Sequence, residues 1–236
     1  MSSARIFIKI CGLTEVDEAV AVAEAGADAV GFVFWAGSTR AVTVERAREM
    51  ARALPAFVTR VGVFVDASRD EMARASDVVG LDVVQLHGSE PPEALADLPR
   101  RALKALRVGP GFDATVALRY AEAGAGLLLD TQTAAAPGGT GQAFEWTLVR
   151  GLSGRIPFLV VAGGLHPGNV AEAIRAVEPA GVDVSSGVER APGKKDLGKV
   201  EAFVRAVRRA SAEGEQPTSD ERRLDRSASA KGEGNS

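Results

Sequence analysis

The sequence predicts an α/β protein: a single (β/α)8 TIM barrel with a disordered C-terminal tail. Three observations carry this. Short apolar runs alternate with helical stretches eight times between residues 5 and 209. The runs recur at steps of roughly 25 residues, a fitting length for a βα unit. Glycine and polar residues follow nearly every run, as strand-end loops require. The same units can also build an open doubly wound sheet. The even spacing favours the closed barrel.

Arg5 to Gly12 reads as the first strand, with Ile6, Ile8 and Ile10 on one face and Phe7, Lys9 and Cys11 on the other. Thr14 is placed to cap a helix over 16–25, with Asp17 in its first turn. Residues 29–34 form a strand without polar alternation, as expected when both faces are covered. A polar loop with Ser38 and Arg40 follows, and Thr43 opens a helix to Leu54. Strands over 58–65 and 83–86 flank a helix over 70–78. Pro91-Pro92 start a short helix that ends near Leu98.

The second half repeats the rhythm. A strand over 102–108, a helix over 114–123 and a strand over 126–130 lead into a long loop, 131–143, carrying Gly138-Gly139-Thr140-Gly141. A helix over 145–152 precedes the strand over 158–162, and Gly163-Gly164 turn into a helix over 169–177. The last strand, 182–184, is followed by Ser185-Ser186-Gly187 and a final helix over 195–209. From Ser211 onward apolar residues are almost absent. Such a segment cannot bury enough surface to offset its ordering entropy. The expected domain is therefore 1–210, with 211–236 a disordered tail that has no catalytic role.

Composition narrows the function. The 236 residues are 46% hydrophobic, enough for one domain with a substantial core. With 28 basic and 31 acidic residues the net charge is −3, which gives no electrostatic case for a nucleic-acid or membrane partner. No stretch reads as a signal peptide or a bilayer span. The single cysteine has no disulfide partner within the chain and suits a reducing compartment. A cytoplasmic protein is expected. The two histidines, His87 and His166, lie on different loops without ligand spacing, so no metal is expected.

The C-terminal strand ends, where barrels do their chemistry, collect Cys11, Arg40, His87, Asp130, Gly163-Gly164 and Ser185-Ser186-Gly187. Each has a plain alternative. Cys11 can be a small buried hydrophobe. Arg40 can be solvated, His87 a turn residue, Asp130 a loop cap, and Gly163-Gly164 a turn. Their convergence on one rim is harder to dismiss. Gly163, Gly164, Ser185, Ser186 and Gly187 offer backbone N–H groups and hydroxyls to a phosphate, as the loops after strands 7 and 8 do in many barrels. Cys11 and Asp130 can form an acid–base pair. A thiolate is a base once cations or helix N-termini stabilise it. A carboxylic acid is an acid once burial or a nearby anion raises its pKa. Lys9 and Gln85 point into the lumen, where a structural polar network is the simpler role.

Lys9-Ile10-Cys11-Gly12, Gly62-Val63-Phe64-Val65, Val84-Gln85-Leu86-His87-Gly88, Leu128-Leu129-Asp130, Gly138-Gly139-Thr140-Gly141, Ala162-Gly163-Gly164-Leu165 and Val182-Asp183-Val184-Ser185-Ser186-Gly187-Val188-Glu189 together resemble the phosphoribosylanthranilate isomerase family. The resemblance runs in order from residue 4 to 209. It implies an Amadori rearrangement of N-(5′-phosphoribosyl)anthranilate in tryptophan biosynthesis, with no cofactor. Cys11 matches the family's general base and Asp130 its general acid. Arg40 matches the residue that faces the anthranilate carboxylate. His87 and Asp183 fall in the motifs as further substrate-binding positions. The implied partner is a phosphorylated aminosugar, and the assembly a monomer or homodimer. Two positions depart from the family pattern: Thr39 precedes the arginine where proline is common, and Glu145 stands where aspartate is usual. A sister isomerase acting on the histidine-pathway aminoaldose is the nearest alternative, though an aspartate is expected there in place of Cys11. A lyase or synthase on the same barrel, or a non-catalytic sugar-phosphate binder, leaves the acid–base pair unexplained.

Overall fold

The computed structural model describes residues 5–109, 111–131, 146 and 148–213. Eight parallel strands close into a barrel in sequence order: β1 (Phe7–Cys11), β2 (Ala29–Val33), β3 (Thr59–Phe64), β4 (Val83–Leu86), β5 (Arg101–Val108), β6 (Gly126–Thr131), β7 (Leu159–Ala162) and β8 (Gly181–Val184). The seam is the β1–β8 pairing, which sets Lys9 beside Asp183 and Ile10 beside Val184. The helices are α1 (Val16–Glu24), α2 (Val44–Ala53), α3 (Arg69–Val79), α4 (Ala114–Glu122), α5 (Val170–Val177) and α6 (Leu197–Glu213).

Strand alternation sorts the side chains into two layers. Ile8, Ile10, Val30, Phe32, Leu86, Leu127, Leu129 and Val182 point outward and pack under the helices in one large core. Leu103, Ala105, Leu128, Val160 and Ala162 form a smaller cluster on the other face of the strands. Charge enters this interior only in pairs. The Lys9 ammonium donates to Asp183 at 3.0 Å across the seam, both side chains buried. On the outer layer, buried Lys104 donates to Glu90 and to the Gly88 carbonyl, each at 2.7 Å. The Glu90 carboxylate in turn accepts from the Asp66 and Gly88 amides. That network pins the loop carrying His87.

The ends of the elements differ from the sequence reading in four places. Thr14 is not the α1 cap: its hydroxyl donates to Gly193 O at 2.7 Å, and Glu15 occupies the cap position without a side-chain bond to the helix. Thr43 does cap α2, accepting from Arg46 N. After β4 the chain makes only a 3-10 turn, Pro92–Leu95, with Pro92 at its first position. Lys195 does not begin the last helix. It belongs to a hairpin, β9 (Glu189–Ala191) and β10 (Lys194–Lys195), that follows a 3-10 turn at Ser186–Val188. Helix α6 begins at Leu197 and continues to Glu213, past the expected end at Arg209.

The expected long loop with Gly138-Gly139-Thr140-Gly141, the position of Glu145, and residues 214–236 of the expected tail lie outside the described residues. Of the helix expected over 145–152, Trp146, Leu148 and Val149 are described and helical. No helix among the described residues is long and apolar enough to cross a membrane.

Removing one partner of a buried pair strands the other charge. Lys104→Met is expected to lower the unfolding free energy by about 3–5 kcal/mol in urea titrations, and the double change Lys104→Met with Glu90→Gln by less. A single-variant loss under about 1 kcal/mol would remove the pair from the fold's supports.

Candidate active site

Alternation places the last inward residue of each strand at the C-terminal rim. Around the ring this puts Cys11, Val33, Val63, His87, Arg107, Asp130, Ala162 and Ser185 on or just past the strand ends. They line a cavity of about 470 Å³ together with Trp35, Ser38, Arg40, Gln85, Gly163, Gly164, Asp183 and Ser186. The structure thus gathers every sequence-predicted site residue except Gly187 on one wall or another. Cys11 and Asp130 lie three strand steps apart, through β8 and β7.

The thiol end is crowded and charged. Cys11 is 8% exposed. A Cβ added at Gly31 would stand 2.7 Å from its sulfur, so β2 leaves space for the thiol by having no side chain there. Burial pushes the thiol pKa up; Lys9 and Lys195 oppose that shift, and Asp183 adds to it. Burial also works against the Lys9 charge, but Asp183 and Cys11 outweigh it and raise the Lys9 pKa.

At the acid end, His87 Nε2 lies 3.5 Å from Asp130 Oδ2. On its other side, His87 Nδ1 lies 3.3 Å from Gln85 Nε2. His87 thus stands between the Gln85 amide and the Asp130 carboxylate. Gln85 Oε1 is buried without a hydrogen-bond partner.

Arg40 is held rather than free. Its Nε and Nη2 donate to the two oxygens of Glu189 at 2.8 and 2.6 Å. This side-on fork leaves the Nη1–Nη2 edge for a ligand, so a carboxylate is met end-on. The loop itself is tied internally: Ser38 N donates to Trp35 O, and Arg40 N donates to Ser38 Oγ. Gly12, at φ +78°, turns the chain after β1, and a Cβ there would meet Arg40 Cδ at 2.5 Å.

The two glycine loops form one wall. Gly163 and Gly164 both have positive φ, +88° and +60°, which a side chain would strain. A Cβ at Gly187 would lie 1.8 Å from Leu165 O, so the loops after β7 and β8 meet backbone to backbone. Gly187 accordingly permits the contact between the two loops. The Ser185 hydroxyl donates to Cys11 O at 3.0 Å, coupling this wall to the thiol strand.

Sequence reasoning missed Trp35, Arg107, Glu189 and Lys195. Trp35 and Arg107 were legible in principle: one follows strand 2, and the other has the inward parity of β5. The hairpin had one signal, Pro192-Gly193 between short polar runs. Among the described residues no three histidine, cysteine, aspartate or glutamate side chains group to hold a metal ion.

A closed eight-stranded βα barrel whose C-terminal rim holds a cavity with ionisable side chains, walled in part by the loops after β7 and β8, defines the class of barrel enzymes. The family model for N-(5'phosphoribosyl)anthranilate (PRA) isomerase matches residues 8–206. The N-(5'-phosphoribosyl)anthranilate isomerase of Pseudomonas putida (strain W619) is 52% identical over 202 residues, covering 86% of this chain and 97% of the relative. The crystal structure of phosphoribosyl anthranilate isomerase from Thermotoga maritima superposes with a TM-score of 0.79 at 43% identity, covering 86% of this chain and 98% of that one. A second crystal structure, of the isomerase in complex with reduced 1-(o-carboxyphenylamino)-1-deoxyribulose 5-phosphate, gives 0.77 at 41% identity, covering 86% and 98%. The chain belongs to the N-(5'-phosphoribosyl)anthranilate isomerase family.

Because burial is the largest influence on Cys11, its alkylation by iodoacetamide is expected to rise with a midpoint above the ordinary cysteine value of about 8.5. A midpoint at or below that value would mean that the neighbouring cations, not burial, control the thiol.

Proposed function

We propose that this isomerase converts N-(5′-phosphoribosyl)anthranilate to 1-(2-carboxyphenylamino)-1-deoxyribulose 5-phosphate by general acid–base catalysis, as a step of tryptophan biosynthesis. The observation that carries the assignment of roles is the single cavity shared by Cys11, Asp130, Arg40 and both glycine loops. Asp130 donates a proton to the furanose ring oxygen as the C1′–O bond breaks. The anilino nitrogen supplies the electron pair and becomes a protonated Schiff base. Cys11 then takes the proton from C2′ in its thiolate form, the form that Lys9 and Lys195 favour against burial, and those electrons flow into the Schiff base to give an enolamine that tautomerises to the ketone. The Schiff base is the electron sink, so the reaction calls for no cofactor.

The remaining residues position the substrate. Gly163, Gly164, Ser185 and Ser186 take the phosphate on backbone N–H groups, and Gly187 lets the two loops meet. Arg40 presents its end-on edge to the anthranilate carboxylate. His87, whose Nε2 lies 3.5 Å from Asp130 Oδ2, orients the acid. Asp183 reaches a sugar hydroxyl while Lys9 neutralises it. The substrate then lies across the rim, phosphate over β7 and β8 and carboxylate toward β2. The same reading makes the barrel the whole catalytic unit, gives residues 214–236 no part in the chemistry, and places the enzyme in the cytoplasm as a monomer or homodimer without nucleic-acid or membrane partners.

The direct test incubates the purified protein with freshly generated phosphoribosylanthranilate and follows the loss of substrate fluorescence. No turnover would sink the assignment. Cys11→Ser and Asp130→Asn are each expected to lose about 10²- to 10⁴-fold in kcat with little change in melting temperature. Near-parental kcat in either removes that residue from the mechanism.

Arg40→Lys keeps the charge but cannot hold Glu189 side-on and a carboxylate end-on together. It is expected to lose about 1.5–3 kcal/mol in kcat/KM. Inorganic phosphate, as a weak competitor, is expected to bind this variant as it binds the parent. A parallel fall in phosphate inhibition would place Arg40 in the phosphate site and reverse the proposed orientation.

A further inference from the structure

Lys195 is the most completely enclosed cation of the described residues, at 0% exposure, and no step proposed above uses it. It comes from β10, outside the barrel. Its ammonium donates to Cys11 O at 2.6 Å, to Glu189 Oε1 at 2.9 Å and to Ser185 O at 3.3 Å. An ammonium has three protons, so these three acceptors saturate it. Each acceptor belongs to a different part of the rim. Cys11 is the thiol strand's last residue, Ser185 begins the loop after β8, and Glu189 grips Arg40 side-on.

The hairpin itself is well anchored. Thr14 donates to Gly193 O, Lys194 pairs with Glu15, and Arg190 donates to Glu18 at 3.0 Å. The Lys195 amide donates to Glu18 Oε2 at 3.1 Å. The ammonium is therefore delivered from a fixed base. Burial alone favours neutral Glu189, but hydrogen bonds from Arg40 and Lys195 outweigh it and lower its pKa.

We propose that Lys195 is a positioning residue: it fixes the spacing between the Cys11 thiol, the Ser185 loop and, through Glu189, the Arg40 guanidinium. This rests on the isomerase reading for what those three groups contact. The physical content is that three separately encoded contacts with one substrate are held by one ammonium at a common centre. A shift of about 1 Å between reacting groups can cost on the order of 100-fold.

The test compares Lys195→Met, which retains most of the buried stem, with the double variant Lys195→Met, Glu189→Gln, which leaves no stranded carboxylate. Three quantities are read: melting temperature, kcat and KM with freshly generated phosphoribosylanthranilate, and the pH profile of Cys11 alkylation. The chain has one cysteine, so the alkylation signal is unambiguous. The groups that face the thiol are Lys9 on β1, Asp183 on β8, Arg40 after β2 and Lys195 on β10, with His87 and Asp130 across the cavity.

Lys195→Met is expected to lower kcat/KM about 10- to 100-fold. Because a cation has been removed, its alkylation profile is expected to move to higher pH. The double variant is expected to regain melting temperature over the single one, yet to keep both defects. If the double variant matches the parent in kcat, KM and alkylation profile, Lys195 only stabilises the hairpin and the inference is overturned. Failure of both variants to fold also overturns it, by making Lys195 a folding residue. The alkylation arm needs no turnover: an inactive parent would refute the isomerase reading, while an unshifted profile in both variants would still overturn the placement of this ammonium at the thiol.

Discussion

The seam between β1 and β8 is the constraint on which the rest depends. A barrel built in sequence order has one pairing that local chain cannot dictate, the one joining its first strand to its last. Here that pairing sets Lys9 against Asp183 in register, and their ammonium and carboxylate meet inside the ring. Slipping the register by one residue would turn every inward side chain of one strand outward and separate the two charges. The pair therefore disfavours wrong closures strongly, whatever its net contribution to stability. It also places Cys11 beside Ser185, since both stand just beyond that pair.

Around the seam, charge is arranged in a second tier. Glu189 accepts from both Arg40 and Lys195, and Lys195 reaches back to the carbonyl of Cys11. The cavity's cations are thus of two kinds. Lys9, Lys195 and most of Arg40 are engaged with protein acceptors, while Arg107 is exposed on the opposite wall. A phosphorylated, carboxylated substrate meets a rim whose positive charges are already spaced, which lowers the cost of ordering them on binding.

Much of this could be read from the sequence. The strand-and-loop rhythm gave the barrel, alternation in the first strand set Cys11 on the face opposite Ile6, Ile8 and Ile10, and Asp130 was placed by its position at a strand's end. Gly163-Gly164 after β7 and Ser185-Ser186-Gly187 after β8 stood out as loops rich in bare backbone and hydroxyls. What escaped depends on contacts between distant parts of the chain. Lys195 and Cys11 are 184 residues apart, and nothing local to Lys195 announces that its ammonium ends beneath the thiol. Thr14 had every local mark of a helix cap, yet its hydroxyl is drawn to Gly193 by the hairpin packed on it. Gly187 read as a phosphate ligand because glycine exposes its N–H; the close approach of Leu165 O, a second demand for glycine there, comes from a loop that no local pattern brings near.

The two glycines that face functional groups divide the cavity wall into parts that can vary and parts that cannot. Any side chain at Gly31 drives into the Cys11 sulfur, and any at Gly187 drives into Leu165 O. Trp35, by contrast, is 47% exposed. Diversity introduced into this barrel to change its aromatic substrate would survive around Trp35 and be eliminated at the two glycines. The pocket wall is open to change where a side chain meets solvent, and frozen where bare backbone stands against the sulfur or a carbonyl oxygen.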